Sequence, residues 1–393
     1  MEEAEFDYIV VGSSAGGGTV AARLAEAGMR VLVLEAGGDA KADPDSLSAA
    51  HYDVPAFHAL ASEDPDMAWN FFVRHYTDTA RQARDPKLTG SGILYPRAGT
   101  LGGCTAHNAM ILIRPHDIDW DGIAALTGVA SWRAVAMAAY WDQLRGWLGT
   151  ESPVPLAGVL DAQLRAVLFG TRAWRERRSG LYLSNGGAVA VTLASAPDNI
   201  VPDLICLGFL SYFKGYYPGY SGAVAAHDNY LTWAVLKGHT NNRAGYVRLR
   251  SADPLDPPDI NFRYFEEGSD TTGDDLRAVV AGLRFVRCLT AGLKRDGTIA
   301  AEEFPGDAAV SDAYLATYVR DTAWGHHACG TCAIGPIGLG GVLDSEFRVY
   351  GTSGLRVVDA SVFPRIPGFL IASAVYMAAE KAADVILRDA RGE

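Results

Sequence analysis

Residues 7–36 read DYIVVGSSAGGGTVAARLAEAGMRVLVLEA. The short apolar run from Asp7 to Val11 ends in a glycine-rich turn, Gly12 to Gly18, which predicts a buried strand and then a tight bend. Small residues from about Thr19 to Ala27 predict a helix with Gly28 as its C-terminal stop, and Arg30 to Glu35 predicts a second strand. Strand, helix and strand in this order make a βαβ unit, so the two strands pair in parallel. In such a unit a Gly-x-Gly-x-x-Gly turn aims backbone N–H groups at a pyrophosphate, and an acid ending the second strand takes ribose hydroxyls. Gly12, Ser14 and Gly17 occupy the three motif positions, and Glu35 follows Gly12 at the required spacing of about 20 residues. Ser14 replaces the glycine that approaches the pyrophosphate most closely, where its hydroxyl either bonds a phosphate or crowds it. Strand, helix and acid together favour a nucleotide site over a ligand-free turn.

The chain has 393 residues, 49% hydrophobic and 20% charged, which is ordinary globular composition with room for two or three domains. Its net charge of −12 leaves no electrostatic footprint for a nucleic-acid backbone. Five cysteines are too few for a disulfide framework, no apolar run is long enough to span a bilayer, and the acidic start has neither signal nor transit character. A cytoplasmic location is therefore expected.

Residues 39–87 carry little periodicity and read as irregular, surface-wrapping chain. A second glycine-rich stretch, Tyr95 to Met110, reads YPRAGTLGGCTAHNAM, a permissive backbone suited to close ligand approach. Helical spacing is expected from about Ala130 to Leu148, and short runs of Tyr, Val, Leu and Ile from Gly180 to Leu249 favour an antiparallel sheet. Further helices are expected at Asp274–Leu289, Ser311–Val319 and Ser373–Arg388, with a strand at Leu355–Asp359 before the last.

Five segments in order, VVGSSAGGGTVAARLAEAGMRVLVLEAG, PRAGTLGGCTAHNAMILIRP, RAGYVRLRSADPLDPPDI, HACGTCAIG and LRVVDASVFPRIP with the following AEKAADVIL, resemble the glucose–methanol–choline (GMC) oxidoreductase family of FAD enzymes. The resemblance implies an α/β fold, with a Rossmann-like FAD-binding domain and a second substrate domain built on an antiparallel sheet with helices. The expected division is a discontinuous FAD domain at 1–50, 85–115 and 322–393, and a substrate domain at 51–84 and 116–321. Gly12, Ser14, Gly17, Glu35 and Ala36 would hold the ADP half of FAD. Arg97, Gly99, Gly102, Gly103, His107, Asn108 and Ala109 would line its pyrophosphate and flavin, and Asp359 with Ala360 would close over the ribityl chain. His327, two residues ahead of the Gly-Thr-Cys sequence, matches the family's active-site histidine. It would take the hydroxyl proton of a small-molecule alcohol while hydride passes to flavin N5. His326, its neighbour, reads as a hydrogen-bonded scaffold residue. GGCTAHN also resembles the choline oxidase branch, whose histidine at the position of His107 is linked covalently to the flavin.

The chain departs from that pattern twice. Gly368 to Ser373 offers neither the second catalytic His nor the Asn that many members carry, and Tyr376, whose phenol can bond a substrate oxygen, is a candidate substitute. Between residues 168 and 180 the family inserts the remainder of its FAD domain, and this chain reads as a shortened member. A degenerate flavin binder without alcohol chemistry, and a non-oxidative or light-driven flavoenzyme, are the alternative readings. No metal is expected from His326, His327, Cys329 and Cys332, because zinc sites usually draw on separated ligand pairs. The electron acceptor is left open among oxygen, a quinone and a carrier protein.

Overall fold

The computed structural model describes residues 5–148, 181–227 and 229–393. The stretch 168–180, where the family's insertion is expected, lies outside them. Among the described residues the strands are β1 (Tyr8–Val11), β2 (Val31–Leu34), β3 (Ala68–Val73), β4 (Ile93–Ala98), β5 (Gly187–Leu193), β6 (Leu204–Phe209), β7 (Thr232–Lys237), β8 (Tyr246–Arg248) and β9 (Asp259–Asn261). The helices are α1 (Gly17–Glu26), α2 (Leu47–Asp53), α3 (His58–Ala61), α4 (Thr79–Gln82), α5 (Asp117–Thr127), α6 (Ala134–Leu148), α7 (Tyr220–Ala226), α8 (Asp274–Arg295), α9 (Asp312–Thr322) and α10 (Ile371–Arg391). Two compact units result. The first takes the described residues of Met1–Trp69, Pro96–Gly186 and His327–Glu393, and the second Asn70–Tyr95 and Gly187–His326. Of the described residues, this division puts 51–69, 116–148 and 181–186 in the first unit and 85–95 and 322–326 in the second, each the reverse of the expected division.

In the first unit β1 and β2 pair in parallel, Tyr8 opposite Val31 and Val11 opposite Leu34, with α1 between them in sequence. The core gathers both ends of the chain: Val20 and Leu24 of α1, Trp120 and Ile123 of α5, Met137 of α6, and Ala374, Met377, Ala378 and Ala382 of α10. Alanines on α10 let neighbours approach closely, and Arg23 reaches Glu380 across 2.7 Å. Gly16 also admits a close neighbour, since a Cβ there would stand 1.9 Å from the Val358 carbonyl oxygen.

Three expectations are corrected. β1 is not buried: Ile9 and Val11 are 62% and 81% exposed, because β1 and β2 form a sheet of only two strands and nothing among the described residues covers that face. Leu355–Asp359 is not a strand but contributes an isolated bridge between Arg348 and Arg356, and Asp359 instead caps a 3-10 turn at Ala360–Val362. Residues 39–87 are not irregular throughout, for they hold β3 and three helices of four to seven residues, too short to register as periodicity.

In the second unit β5, β6 and β7 form an antiparallel sheet with β6 central, so Leu204 to Leu207 are buried on both faces. The amphipathic α8 lies on β6 and β7, where Gly282 admits Val235 closely, and packs against α9 through Val280, Leu315 and Val319. The helices expected at Asp274 and Ser311 begin within a residue of those positions. The antiparallel sheet also lies within its expected range.

Candidate nucleotide and active site

The first unit interlocks its two glycine-rich segments. Glu35, at the end of β2, accepts the Ser13 backbone N–H at 2.8 Å and its hydroxyl at 2.5 Å on one oxygen, and the Ala36 N–H at 2.8 Å on the other. Burial opposes ionisation of this carboxyl, but the bonds from Ser13, Ala36 and Gly37 outweigh it and hold the group below the usual carboxylate range. The Ser13 oxygen in turn accepts from the Gly102 N–H at 2.8 Å, so one hydroxyl ties the end of β2 to both turns.

Glycines are required where these backbones meet. Gly103 has φ +52, and a Cβ on it would lie 2.7 Å from Ser14 Cβ. Ser14, the departure from the dinucleotide motif, is therefore accommodated because residue 103 has no side chain. A Cβ on Gly17 would lie 2.1 Å from the Gly12 carbonyl oxygen, and one on Gly37 1.6 Å from that of Gly99. The N-terminus of α1 has no side-chain cap, and its first turn has no acidic residue. Its positive pole is thus uncompensated, as a phosphate-binding helix needs.

Three histidines lie in the first unit around the second glycine-rich segment. His107 is only 9% exposed, and its Nε2 has no hydrogen-bond partner. Burial pushes its pKa down to about 4, and the Arg97 charge acts in the same direction against hydrogen bonds that the ring donates to the backbone carbonyls of His107 and Arg97. His327 is half-buried, and its pKa also falls to about 4 through burial and the charge of Arg97, opposed by a bond to the Phe369 backbone. His58 is lowered by burial, opposed by its bond to the Asn185 carbonyl, and lowered further by His107. At neutral pH all three imidazoles are neutral, with Arg97 as the charge felt by two of them.

Tyr376 bonds Thr105, and burial raises its phenol above the usual value. Asn108 accepts the Met110 N–H at 2.8 Å. Asp359 is exposed and accepts from the Ser361 backbone at 2.8 Å, beside the half-buried Ala360. Ser373 is held by the Ile113 carbonyl at 2.5 Å, just inside the start of α10. His326 belongs to the second unit, where its ring stacks on Tyr216 at a centroid distance of 4.0 Å and meets the edges of Tyr95 at 4.6 Å and Trp324 at 5.7 Å.

Sequence reasoning passed over Ser13, Gly37 and Asn185. Ser13 lies inside the motif but at a position the motif leaves open; Gly37 stands two residues after Glu35, and its being glycine is the signal that would have found it. Two observations fit FAD: the buried His107 Nε2 has no hydrogen-bond partner in the protein, and the first turn of α1 carries neither a side-chain cap nor an acidic residue to offset its positive pole.

A family model described as GMC oxidoreductase matches residues 241–379. A glucose methanol choline oxidoreductase of Aspergillus terreus is 36% identical over 220 residues, 56% of this chain and 33% of that protein. A chloroplastic fatty acid photodecarboxylase of Chlamydomonas reinhardtii is 38% identical over 145 residues, 36% of this chain and 23% of that one. The chain thus spans a third or less of these relatives. Among solved structures, an R554A variant of Aspergillus oryzae formate oxidase has a TM-score of 0.75 at 17% identity, covering 100% of both chains. A fungal aryl-alcohol oxidase has a TM-score of 0.67 at 17% identity, covering 98% of this chain and 99% of its own.

Proposed function

We infer that the chain is a member of the glucose–methanol–choline oxidoreductase family of FAD enzymes, and on that premise propose that it oxidises an alcohol, with His327 as the base. What carries this reading is the placing of His327, the histidine ahead of Gly-Thr-Cys, in the unit that holds both glycine-rich segments, where burial and the Arg97 charge favour the unprotonated ring a base needs. Bound FAD supplies the acceptor for the hydride that leaves the carbinol carbon.

The chain's own residues would do the rest. The α1 N-terminus, with Gly12, Ser14 and Gly17, would hold the pyrophosphate, and Glu35 and Ala36 would hold the ribose. Gly99, Gly102, Gly103, Asn108 and Ala109 supply a close backbone surface for the flavin side, and Asp359 with Ala360 borders the ribityl chain. His327 takes the hydroxyl proton as the carbonyl forms, and the bond to the Phe369 backbone fixes its ring while it does so. His107, whose Nε2 has no partner in the protein, would offer that nitrogen to the flavin. Tyr376, held beside Thr105, is placed to orient a substrate oxygen in the absence of a second histidine.

A second reading has its own observation. Arg97 puts a positive charge beside two neutral histidines, which suits a carboxylate better than an alcohol. A formate oxidase and a fatty acid photodecarboxylase stand among the proteins this chain is similar to. Anaerobic mixing of the FAD-loaded protein with a panel of alcohols and carboxylic acids separates the readings. Bleaching of the flavin by alcohols in the dark supports the first. Product formed from carboxylates alone overturns it, and a flavin that stays oxidised with every compound marks a binder without this chemistry.

A further inference from the structure

The loop carrying His107 is fastened by a side chain outside every motif. Asn185 donates its Nδ2 N–H to the Ala109 carbonyl at 2.5 Å, while its own backbone carbonyl lies 3.2 Å from His58 Nε2 at the start of α3. The seat of Asn185 is packed, for Tyr182 meets Phe57 edge to face at 5.2 Å. Beyond it, Gly186 at φ +84 turns the chain, and the Ser184 hydroxyl accepts the Gly186 N–H at 3.1 Å. On the loop side, Met110 has φ +50, a left-handed conformation that is strained for a residue with a side chain. Such a turn persists only where its surroundings hold it. The Asn108 side chain holds it from within and Asn185 from outside.

We propose that Asn185, anchored by His58, is a positioning residue that clamps the His107–Met110 loop in the geometry that receives FAD. The proposal rests on the reading that this loop lines the flavin. The chemistry of the contact is specific: a carbonyl needs an N–H donor, which the Asn185 carboxamide supplies and a carboxylate of the same shape does not. At the other end His58 must present an N–H from Nε2, and burial keeps that ring neutral.

The test compares the purified protein with N185D and H58Q, the second retaining an N–H donor near the position of Nε2. FAD affinity is titrated by fluorescence, and amide hydrogen exchange is followed by mass spectrometry. N185D weakens FAD at least tenfold and speeds exchange at residues 109–111, while H58Q stays within about threefold of the parent. Unchanged affinity and exchange in N185D overturn the proposal, as does faster exchange spread evenly over the unit, which marks global destabilisation. If N185D does not fold, H58F, which keeps the ring volume and loses the donor, must reproduce the local effect or the proposal falls. Failure of the parent protein to bind FAD sinks the flavin reading instead, and exchange at 109–111 then decides the clamp in the apoprotein.

Discussion

Replacing Ser13 by Ala removes the one hydroxyl that joins the end of β2 to both glycine-rich turns. Two bonds are lost, the 2.5 Å donation to the Glu35 carboxylate and the 2.8 Å acceptance from the Gly102 N–H. A hydrogen bond to a charged group contributes about 1.5–3 kcal/mol and a neutral one about 1 kcal/mol. Both are half-buried, so water satisfies part of what is lost, and the expected destabilisation is about 2–3 kcal/mol. The backbone N–H of Ser13 still reaches Glu35, so the strand end itself survives. Urea denaturation of the apoprotein, followed by a signal from the first unit such as Trp120 and Trp132 fluorescence, measures the loss. A double-mutant cycle with E35Q isolates the pair, with an expected coupling of about 1–2 kcal/mol. FAD affinity falls in parallel, because Gly102 and Gly103 are no longer held against the turn. A coupling below about 0.3 kcal/mol, with unchanged FAD affinity, refutes the claim that this hydroxyl locks the two segments together.

Other consequences follow from the same geometry. H327A lowers the rate of flavin reduction by about 10²–10⁴, the range for removing a positioned base, and H326A does less; rapid-mixing spectroscopy that returns the reverse order places the base on the wrong ring. Because His107 and His327 titrate near 4 in the folded chain against 6.5 when free, the unfolded state binds more protons between those values. Stability is therefore full above pH 6.5 and falls as pH drops toward 4, a slope that H107Q and H327Q each flatten in urea titrations at stepped pH. If His107 bonds covalently to the flavin, yellow-green fluorescence follows the protein band on a denaturing gel and vanishes in H107A; complete release of flavin by acid shows a contact without a bond.

The parts legible in the sequence were those written in local pattern. The βαβ unit of residues 7–36, the helices at Asp274, Ser311 and the C-terminus, and the antiparallel sheet before Leu249 carry periodicities longer than the turns that bound them. Burial of β1 was not legible, because an apolar run looks the same whether or not a neighbouring strand covers it. The short helices at Leu47, His58 and Thr79 escaped notice because four to seven residues give no period to read. In the site, the glycines announced close approach, but only coordinates pair Gly103 with Ser14 and Gly37 with Gly99. Ser13 and Asn185 act through contacts 89 and 76 residues away in sequence, and no local pattern encodes such a bond.

Cofactor selectivity tests the central claim most directly: the purified apoprotein is titrated in parallel with FAD, FMN and NAD by calorimetry. The glycine cradle around α1 and the His107 loop predict one FAD per chain, bound at least a hundredfold more tightly than FMN or NAD and weakened by E35A. Equal or tighter binding of NAD, or no binding of FAD at millimolar concentration, contradicts it.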